Sequence, residues 1–147
     1  MNLEAEYDLD FYGWINKNVE LLRCGSLSEI DAEHIAQELE SMGKRDRRQL
    51  RSRLQVLIMH LLKWQYQPDK QSKSWLATID HQRDEIQALL LDSPSLRRDL
   101  DTALVTVYAK AVSDTQEETS LPATAFPLSC PFALEEILSA RFLPKVN

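Results

Sequence analysis

The sequence predicts an all-α protein: a single-domain helical bundle of about four main helices plus a short C-terminal helix. Apolar residues recur every three or four positions along most of the chain, and no segment alternates between apolar and polar residues as a half-buried strand would. The chain has only 3 glycines, which argues against a turn-rich β protein. Its 147 residues suit one domain spanning residues 1–147.

The first predicted helix begins after Asp8, a residue suited to the N-cap, and ends before Gly25, a residue typical of helix C-termini. Its apolar residues are spaced so that they fall on one helical face. They are Leu9, Tyr12, Ile15, Val19 and Leu22. We therefore expect this row to form the buried side of the helix.

The second helical stretch begins at Ser28 or Asp31 and meets no proline before Pro68. It is either one helix over residues 31–66 or two helices joined near Gly43, because one glycine costs only about 1 kcal/mol in a helix interior. Its apolar row comprises Ile35, Leu39, Met42, Leu50, Leu54, Leu57, Leu61 and Trp64. From Val56 to Leu62 apolar residues surround the helix, which predicts a segment buried on all sides at the core of the fold.

Two further helices follow the polar connection at residues 67–74. Ser72 or Ser74 caps the third helix, and Ser93-Pro94 both closes it and opens the fourth. The third has the apolar residues Trp75, Ile79, Ile86 and Leu90. The fourth has the clearest amphipathic pattern of the chain, in Leu96, Leu100, Ala103, Leu104, Val107, Tyr108 and Ala111.

The C-terminal segment, residues 119–147, is predicted to be a loop followed by a short docking helix. Residues 119–131 contain three prolines, which favours an extended loop. The helix is expected from about Pro131 to Ala140. The apolar residues available to dock it are Phe132, Leu134, Leu138 and Phe142.

Composition is that of an ordinary soluble domain. Hydrophobic residues make up 44% of the chain and charged residues 27%. The longest apolar run, Leu54–Leu62, is far shorter than the roughly 20 residues of a membrane span, and the acidic N-terminus does not resemble a signal peptide. Cys24 and Cys130 are isolated, which favours reduced thiols. We therefore expect a cytoplasmic location and no membrane association.

Several blocks of the sequence are specific in combination. They are Tyr7–Trp14, Ile35–Arg48, His60–Pro68, Ser74-Trp75 with Gln82-Arg83, Ser93–Leu96, and a tail from Cys130 to Pro144. Together they resemble a family that is common in cyanobacteria and is called domain of unknown function 29. The resemblance covers nearly the whole chain and implies an α-helical single domain. It implies no reaction, cofactor or catalytic residue.

The first candidate site pairs His34 with Glu38, four residues apart and hence on one helix face. Helical metal sites use this spacing, but a metal ion needs three or four ligands, and this helix offers neither a second histidine nor a paired glutamate in register. The favoured interpretation is an exposed pair near a helix start. We expect no bound metal and no cofactor.

The second candidate site is a polar cluster inside the core, centred on His60. This histidine interrupts the enclosed segment, and a buried imidazole without a hydrogen-bond partner costs about 1–3 kcal/mol. Gln82 and Asp46 interrupt apolar rows in a similar way. We expect His60 to pair with one of these two residues or with Glu38. A structural role is favoured over a catalytic or metal site.

The third candidate site is a basic face within Lys44–Arg53. Ten acidic residues against two basic ones precede it in residues 1–40, although the net charge of the whole chain is only −6. Lys44, Arg47, Arg48 and Arg51 form a contiguous helical band. Such a band can be solvated and partly ion-paired, contact a protein, or bind nucleic acid; no aromatic residue is interleaved to stack on bases.

A fourth group is aromatic: Trp64, Tyr66 and Trp75 flank the connection at residues 67–74 and are expected to close one end of the bundle, not to line a pocket. The sequence has no Walker loop, serine elbow or HExxH motif. The leading hypothesis is a non-enzymatic module that contacts protein, either itself or another chain. An enzyme or metal-binding bundle centred on His60 and a nucleic-acid-associated protein using Lys44–Arg53 are the alternatives.

Overall fold

A computed structural model describes residues 2–146, and its helices confirm the all-α prediction. The described residues contain no strand, and short 3₁₀ turns lie at residues 68–70, 94–96 and 123–125. The six α-helices are α1 (Leu3–Leu9), α2 (Phe11–Arg23), α3 (Ala32–Tyr66), α4 (Lys73–Asp92), α5 (Arg97–Thr119) and α6 (Leu134–Leu138). None of them, over residues 2–146, is long and apolar enough to cross a membrane.

The chain forms two compact units. The N-terminal unit is Met1–Arg45 and the C-terminal unit is Asp46–Asn147. The N-terminal unit contains α1, α2 and the first part of α3. The C-terminal unit contains the rest of α3, α4, α5 and α6.

The N-terminal unit begins with two helices where the sequence predicted one. Asn2 caps α1 by accepting a hydrogen bond from the Ala5 amide at 2.8 Å. Asp10 has a non-helical backbone, with a φ of −149°, and caps α2 by accepting from the Gly13 amide at 3.0 Å. The N-cap is therefore Asp10 and not Asp8, because the backbone leaves the helical conformation at residue 10.

The buried face of α2 also differs from the prediction. Trp14 and Asn18 are its buried residues. The row expected to be buried is largely exposed: Leu9, Tyr12, Val19 and Leu22 are 72%, 75%, 39% and 43% exposed. The reason is that the unit buries the Trp14 indole together with its hydrogen-bond acceptor, Asp31.

Helix α3 is a single helix of 35 residues, which decides between the two arrangements that the sequence left open. Its side-chain cap is Asp31, which accepts from the His34 amide at 3.4 Å. Gly43 lies in its interior, and a Cβ there would meet nothing within 4 Å. The predicted apolar row is buried only in part, because Leu39 and Met42 are 62% and 55% exposed.

The core of the C-terminal unit is built around the later part of α3, as predicted. Leu57, Ile58, Leu61 and Leu62 are completely buried. The enclosure of Val56–Leu62 is incomplete, however, because Val56 and His60 are only half-buried. These two residues are four apart and therefore share the one face of the segment that is not closed.

Helices α4 and α5 pack their predicted faces into this core. Ser72, not Ser74, caps α4 by accepting from the Trp75 amide at 3.2 Å. Pro94 opens a 3₁₀ turn, and α5 begins three residues later at Arg97. The apolar row of α5 is confirmed in its buried residues Leu100, Ala103, Val107, Tyr108 and Ala111.

The C-terminal tail docks on the same core with a shorter helix than expected, Leu134–Leu138. Phe132, Leu134 and Ile137 are buried. Arg83 of α4 is also buried and donates hydrogen bonds to the carbonyl oxygens of Ile137 and Phe142, both at 2.8 Å. The buried Arg83 guanidinium thus binds the backbone of the tail and holds the tail against α4.

Candidate functional site

The N-terminal unit is organised around a buried carboxylate, Asp31. The indole nitrogen of Trp14 donates to Asp31 Oδ2 at 2.9 Å, and His34 Nδ1 lies 2.6 Å from the same oxygen. Asn18 connects the two chain segments, because its Oδ1 accepts from the Asp31 amide at 2.9 Å and its Nδ2 donates to the Trp14 carbonyl at 2.8 Å. The polar groups of this cluster therefore satisfy one another.

Tyr7 of α1 covers the cluster. Its ring stacks on the His34 imidazole with a centroid separation of 3.9 Å and an interplanar angle of 8°. Its hydroxyl donates to Glu38 Oε1 at 2.5 Å. His34 and Glu38 are therefore not the exposed pair that the sequence favoured. Both are half-buried, and Tyr7 contacts each of them.

The electrostatics of the cluster favour a structural network. Burial raises the pKa of Asp31, but hydrogen bonds from Trp14 and His34 outweigh it, so the pKa lies below its usual value. The hydrogen bond to Glu38 raises the pKa of the Tyr7 phenol, which is the opposite of what an activated nucleophile needs. Asp31 orients His34, which is compatible with a role of the imidazole as a base. The Tyr7 hydroxyl, however, is not activated as a nucleophile.

Trp14, Asn18 and Asp31 were not predicted from the sequence to form this cluster. The available signal was the spacing of Asp31 and His34, which places a capping carboxylate three residues before an imidazole at a helix start. Asn18 had no such signal, because its role depends on the approach of α2 to the start of α3.

The predicted core cluster of His60, Glu38, Asp46 and Gln82 does not form. Glu38 accepts from Tyr7, Asp46 is exposed, and Gln82 accepts from Arg53 Nη1 at 3.2 Å. His60 instead donates through Nδ1 to the carbonyl of Val56 in its own helix, at 2.9 Å. The predicted pairing of His60 with Glu38, Asp46 or Gln82 is therefore wrong. The imidazole binds a backbone carbonyl one helical turn earlier and does not need a polar side chain as its partner.

Burial lowers the pKa of His60, although the hydrogen bond to the Val56 carbonyl opposes this effect. The imidazole is therefore neutral at pH 7, with Nδ1 as the donor in that hydrogen bond. Across residues 2–146, no group of three or more histidine, cysteine, aspartate or glutamate side chains is arranged to hold a metal ion.

The predicted basic face is divided by an ion pair. Arg51 binds Asp99 of α5 in bidentate fashion, with Nε–Oδ2 and Nη2–Oδ1 distances of 2.9 and 2.6 Å. This contact lowers the pKa of Asp99. Lys44, Arg47 and Arg48 are exposed, and none of the ion pairs found within residues 2–146 involves them. One of the four predicted bases is therefore engaged by α5 and is not free to bind a partner.

The aromatic residues around the connection at 67–74 contact different partners. Tyr66 packs edge-to-face on Phe126 with a centroid distance of 5.0 Å. The Lys63 ammonium lies 4.7 Å from the Trp75 ring centroid, and the Trp64 carbonyl accepts from Gln71 at 3.0 Å. These contacts hold the connection and the loop before the tail against the C-terminal unit.

A concave apolar site lies between α5 and residues 123–130. Its volume is about 470 Å³. On α5 it is lined by Leu104, Tyr108 and Val112 among others, and on the loop by Phe126 and Cys130 among others. This site was not predicted from the sequence, in which residues 119–131 are recognisable only as a loop.

A model of the family described as "Domain of unknown function DUF29" matches residues 6–143 of the chain. The search of curated proteins found no match, and neither did the search of solved structures.

Proposed function

Starting from the fact that the chain belongs to the DUF29 family of unknown function, we propose that it is a non-enzymatic protein-interaction module that pairs with a second copy of itself through its N-terminal unit. One observation carries the proposal. Of the thirteen large hydrophobic residues that are exposed in the described part of the chain, eight lie within residues 2–45. This unit provides less than a third of the chain and most of its exposed apolar side chains.

The same unit uses few apolar residues internally. Trp14 is the one hydrophobic residue in the range 2–45 that is buried, whereas Glu6, Asn18 and Asp31 are buried polar residues. A polar interior leaves the apolar rows of α2 and α3 without a covering surface inside the unit. Concentrated exposed apolar residues mark interaction surfaces on soluble proteins.

Helix α3 provides the best-defined part of this surface. Leu39 and Met42 are three residues apart and share a face with Ile35, while the neighbouring residues Glu40 and Lys44 are exposed. Most of the stability of a protein helix comes from packing its apolar face. We call Ile35, Leu39 and Met42 the α3 row. Tyr12, Val19 and Leu22 form a second exposed row on α2.

Charge complementarity favours a second copy as the occupant. Residues 1–40, which contain most of the α3 row, hold ten acidic residues against two basic ones, and basic Arg45 follows the row at its edge. In a two-fold dimer the same surface of both copies is in contact, and the two α3 rows run antiparallel. The acidic end of one copy then lies beside the basic end of the other. Such a contact is small, and we expect a weak, concentration-dependent dimer.

The test is sedimentation equilibrium of the full chain from micromolar to near-millimolar concentration. Wild type is expected to dimerise. Leu39→Glu is expected to weaken the dimer at least about tenfold, or about 1.4 kcal/mol, because it places two like charges in an apolar contact. Leu91→Glu is the matched control, since Leu91 is 72% exposed on α4 of the other unit.

Circular dichroism of each variant verifies that the helices persist. A wild type that stays monomeric throughout the range overturns the proposal of self-pairing. Equal weakening by Leu39→Glu and Leu91→Glu shows that the α3 row is not the contact, which also contradicts it.

A further inference from the structure

The geometry points to a second binding site, independent of the proposed dimer: the concave site between α5 and residues 123–130 binds a neutral, apolar small molecule of the alkyl-chain type. We call it the α5 pocket. It lies wholly within the C-terminal unit.

The volume of the α5 pocket is that of a ligand site. Its volume of about 470 Å³ falls in the range of roughly 300–1,000 Å³ that is usual for small-molecule pockets. One wall is the helical face that carries Leu104, Tyr108 and Val112. The opposite wall is the loop, whose Leu128 side chain is fully exposed at 105%. A ligand would cover this side chain together with Val105, which is 81% exposed.

The walls are fixed before a ligand arrives. The Tyr108 hydroxyl donates to the Pro127 carbonyl at 2.6 Å, which ties the loop to α5. Phe126 is buried and packs on Tyr66. Pro122 and Pro127 restrict the loop backbone further. A site with preorganised walls loses little affinity to the ordering of side chains and loops.

The lining chemistry selects a neutral ligand. None of the residues that line the α5 pocket carries a charge, so a carboxylate or an ammonium would enter without a counter-ion. The Tyr108 hydroxyl is already engaged, and burial raises its pKa to about 12. Ser129 and Cys130 are the remaining polar side chains of the lining. The ligand is therefore held by apolar contact with at most a few weak hydrogen bonds.

The experiment uses the full chain with Nile red as a neutral fluorescent probe and 1-decanol as the competitor. We expect saturable Nile red binding that decanol displaces and that decanoate, its charged counterpart, displaces at least about tenfold less well. Ala109→Phe fills the α5 pocket from an exposed lining position and should weaken decanol binding by at least about tenfold. Ala88→Phe makes the same change on exposed α4, outside the lining, and should leave binding unchanged.

A second measurement locates the ligand. In a Cys24→Ser background Cys130 is the single thiol, and it lines the α5 pocket. Saturating decanol should slow its reaction with a neutral disulfide reagent several-fold. Phosphatidylcholine vesicles form a further arm: binding of vesicles that Ala109→Phe abolishes identifies a lipid chain as the source of the alkyl group, whereas decanol binding without vesicle binding identifies a free molecule.

Absence of saturable Nile red binding overturns the inference, and so does binding that Ala109→Phe leaves unchanged. Equal competition by decanoate refutes the neutral class of ligand. The α5 pocket and the α3 row lie in different units, so Ala109→Phe tests the ligand site and Leu39→Glu tests the dimer.

Discussion

The Trp14 indole donates a hydrogen bond of 2.9 Å to Asp31, a carboxylate that also caps the start of α3. One side chain thus joins α2 to α3 and satisfies the first turn of a helix. The N-terminal unit obtains its internal order from this polar contact, and its aliphatic residues remain exposed. That division of roles underlies both its stability and its proposed interaction.

Asp31→Ala should destabilise the protein by roughly 1–3 kcal/mol, because the buried indole N–H loses its acceptor and the helix loses its cap. Urea unfolding monitored by tryptophan fluorescence measures the change. The control is Glu29→Ala, an exposed neighbour. A loss no larger than that of the control would show that the Trp14–Asp31 contact is unimportant.

The lowered pKa of Asp31 adds a pH dependence at the acid end. Because this carboxyl is more acidic in the folded than in the unfolded chain, its contribution is fully present above about pH 4, the unfolded value, and is lost as the pH falls through the lowered pKa. Asp31→Asn should therefore flatten the dependence of unfolding free energy on pH below pH 4. An unchanged slope would contradict this assignment.

We expect a second pH effect from His60, closer to neutral pH than that of Asp31. Burial lowers the pKa of His60, so the unfolded chain binds a proton more readily, and stability should fall as the pH drops below about 6.5. His60→Gln should remove this slope between about pH 7 and pH 5. His81→Gln, at an exposed position of α4, is the matched control, and a slope that disappears only in the control would reject the prediction.

Arg83→Ala should release the C-terminal tail, because the carbonyls of Ile137 and Phe142 lose their charged donor. One hydrogen bond to a charged group contributes about 1.5–3 kcal/mol, so we expect at least that loss in urea unfolding. Limited proteolysis should cut faster within residues 132–146, the part of the tail that Arg83 holds. Arg97→Ala removes a surface ion pair with Glu135 at 3.8 Å and should cost less than about 1 kcal/mol. Similar losses in both variants would refute the anchoring role.

A charge reversal tests the antiparallel geometry of the proposed dimer. Arg45→Glu should weaken it, because the basic end of the α3 row then becomes acidic beside the acidic end of the second copy. Lys44→Glu, on the opposite face of the same helix, is the matched control and should leave the affinity unchanged. Sedimentation equilibrium measures each variant. Equal weakening by both variants, with helix content intact, would exclude this register while leaving other self-pairings open to the Leu39→Glu comparison.

Helices were predictable because their signals are local. The periodic apolar row of α5 and the capping serine of α4 depend on residues a few positions apart, and both are found where the sequence indicated. The single-helix or two-helix question at Gly43 was not decided by such signals, since a glycine costs too little to break a helix that the flanking residues favour.

The candidate sites were less predictable, because the hydrogen-bond partner of a side chain depends on how the helices approach each other. His60 was expected to reach Gln82, but Gln82 binds Arg53 and His60 binds its own helix. On α2 the spacing of apolar residues pointed to the face that carries Tyr12 and Val19. The face with Trp14 is buried instead.

The sequence by itself determined the all-α class, the order of the helices and the core row of α5, because helical periodicity and capping are encoded within a few neighbouring residues. Tertiary structure alone decided that Asp31 accepts a hydrogen bond from Trp14, that Arg83 holds the tail, and that α5 and the loop at 123–130 form an open apolar pocket. These relationships join residues between 17 and 59 positions apart, where the rotation and approach of whole helices decide which side chains meet.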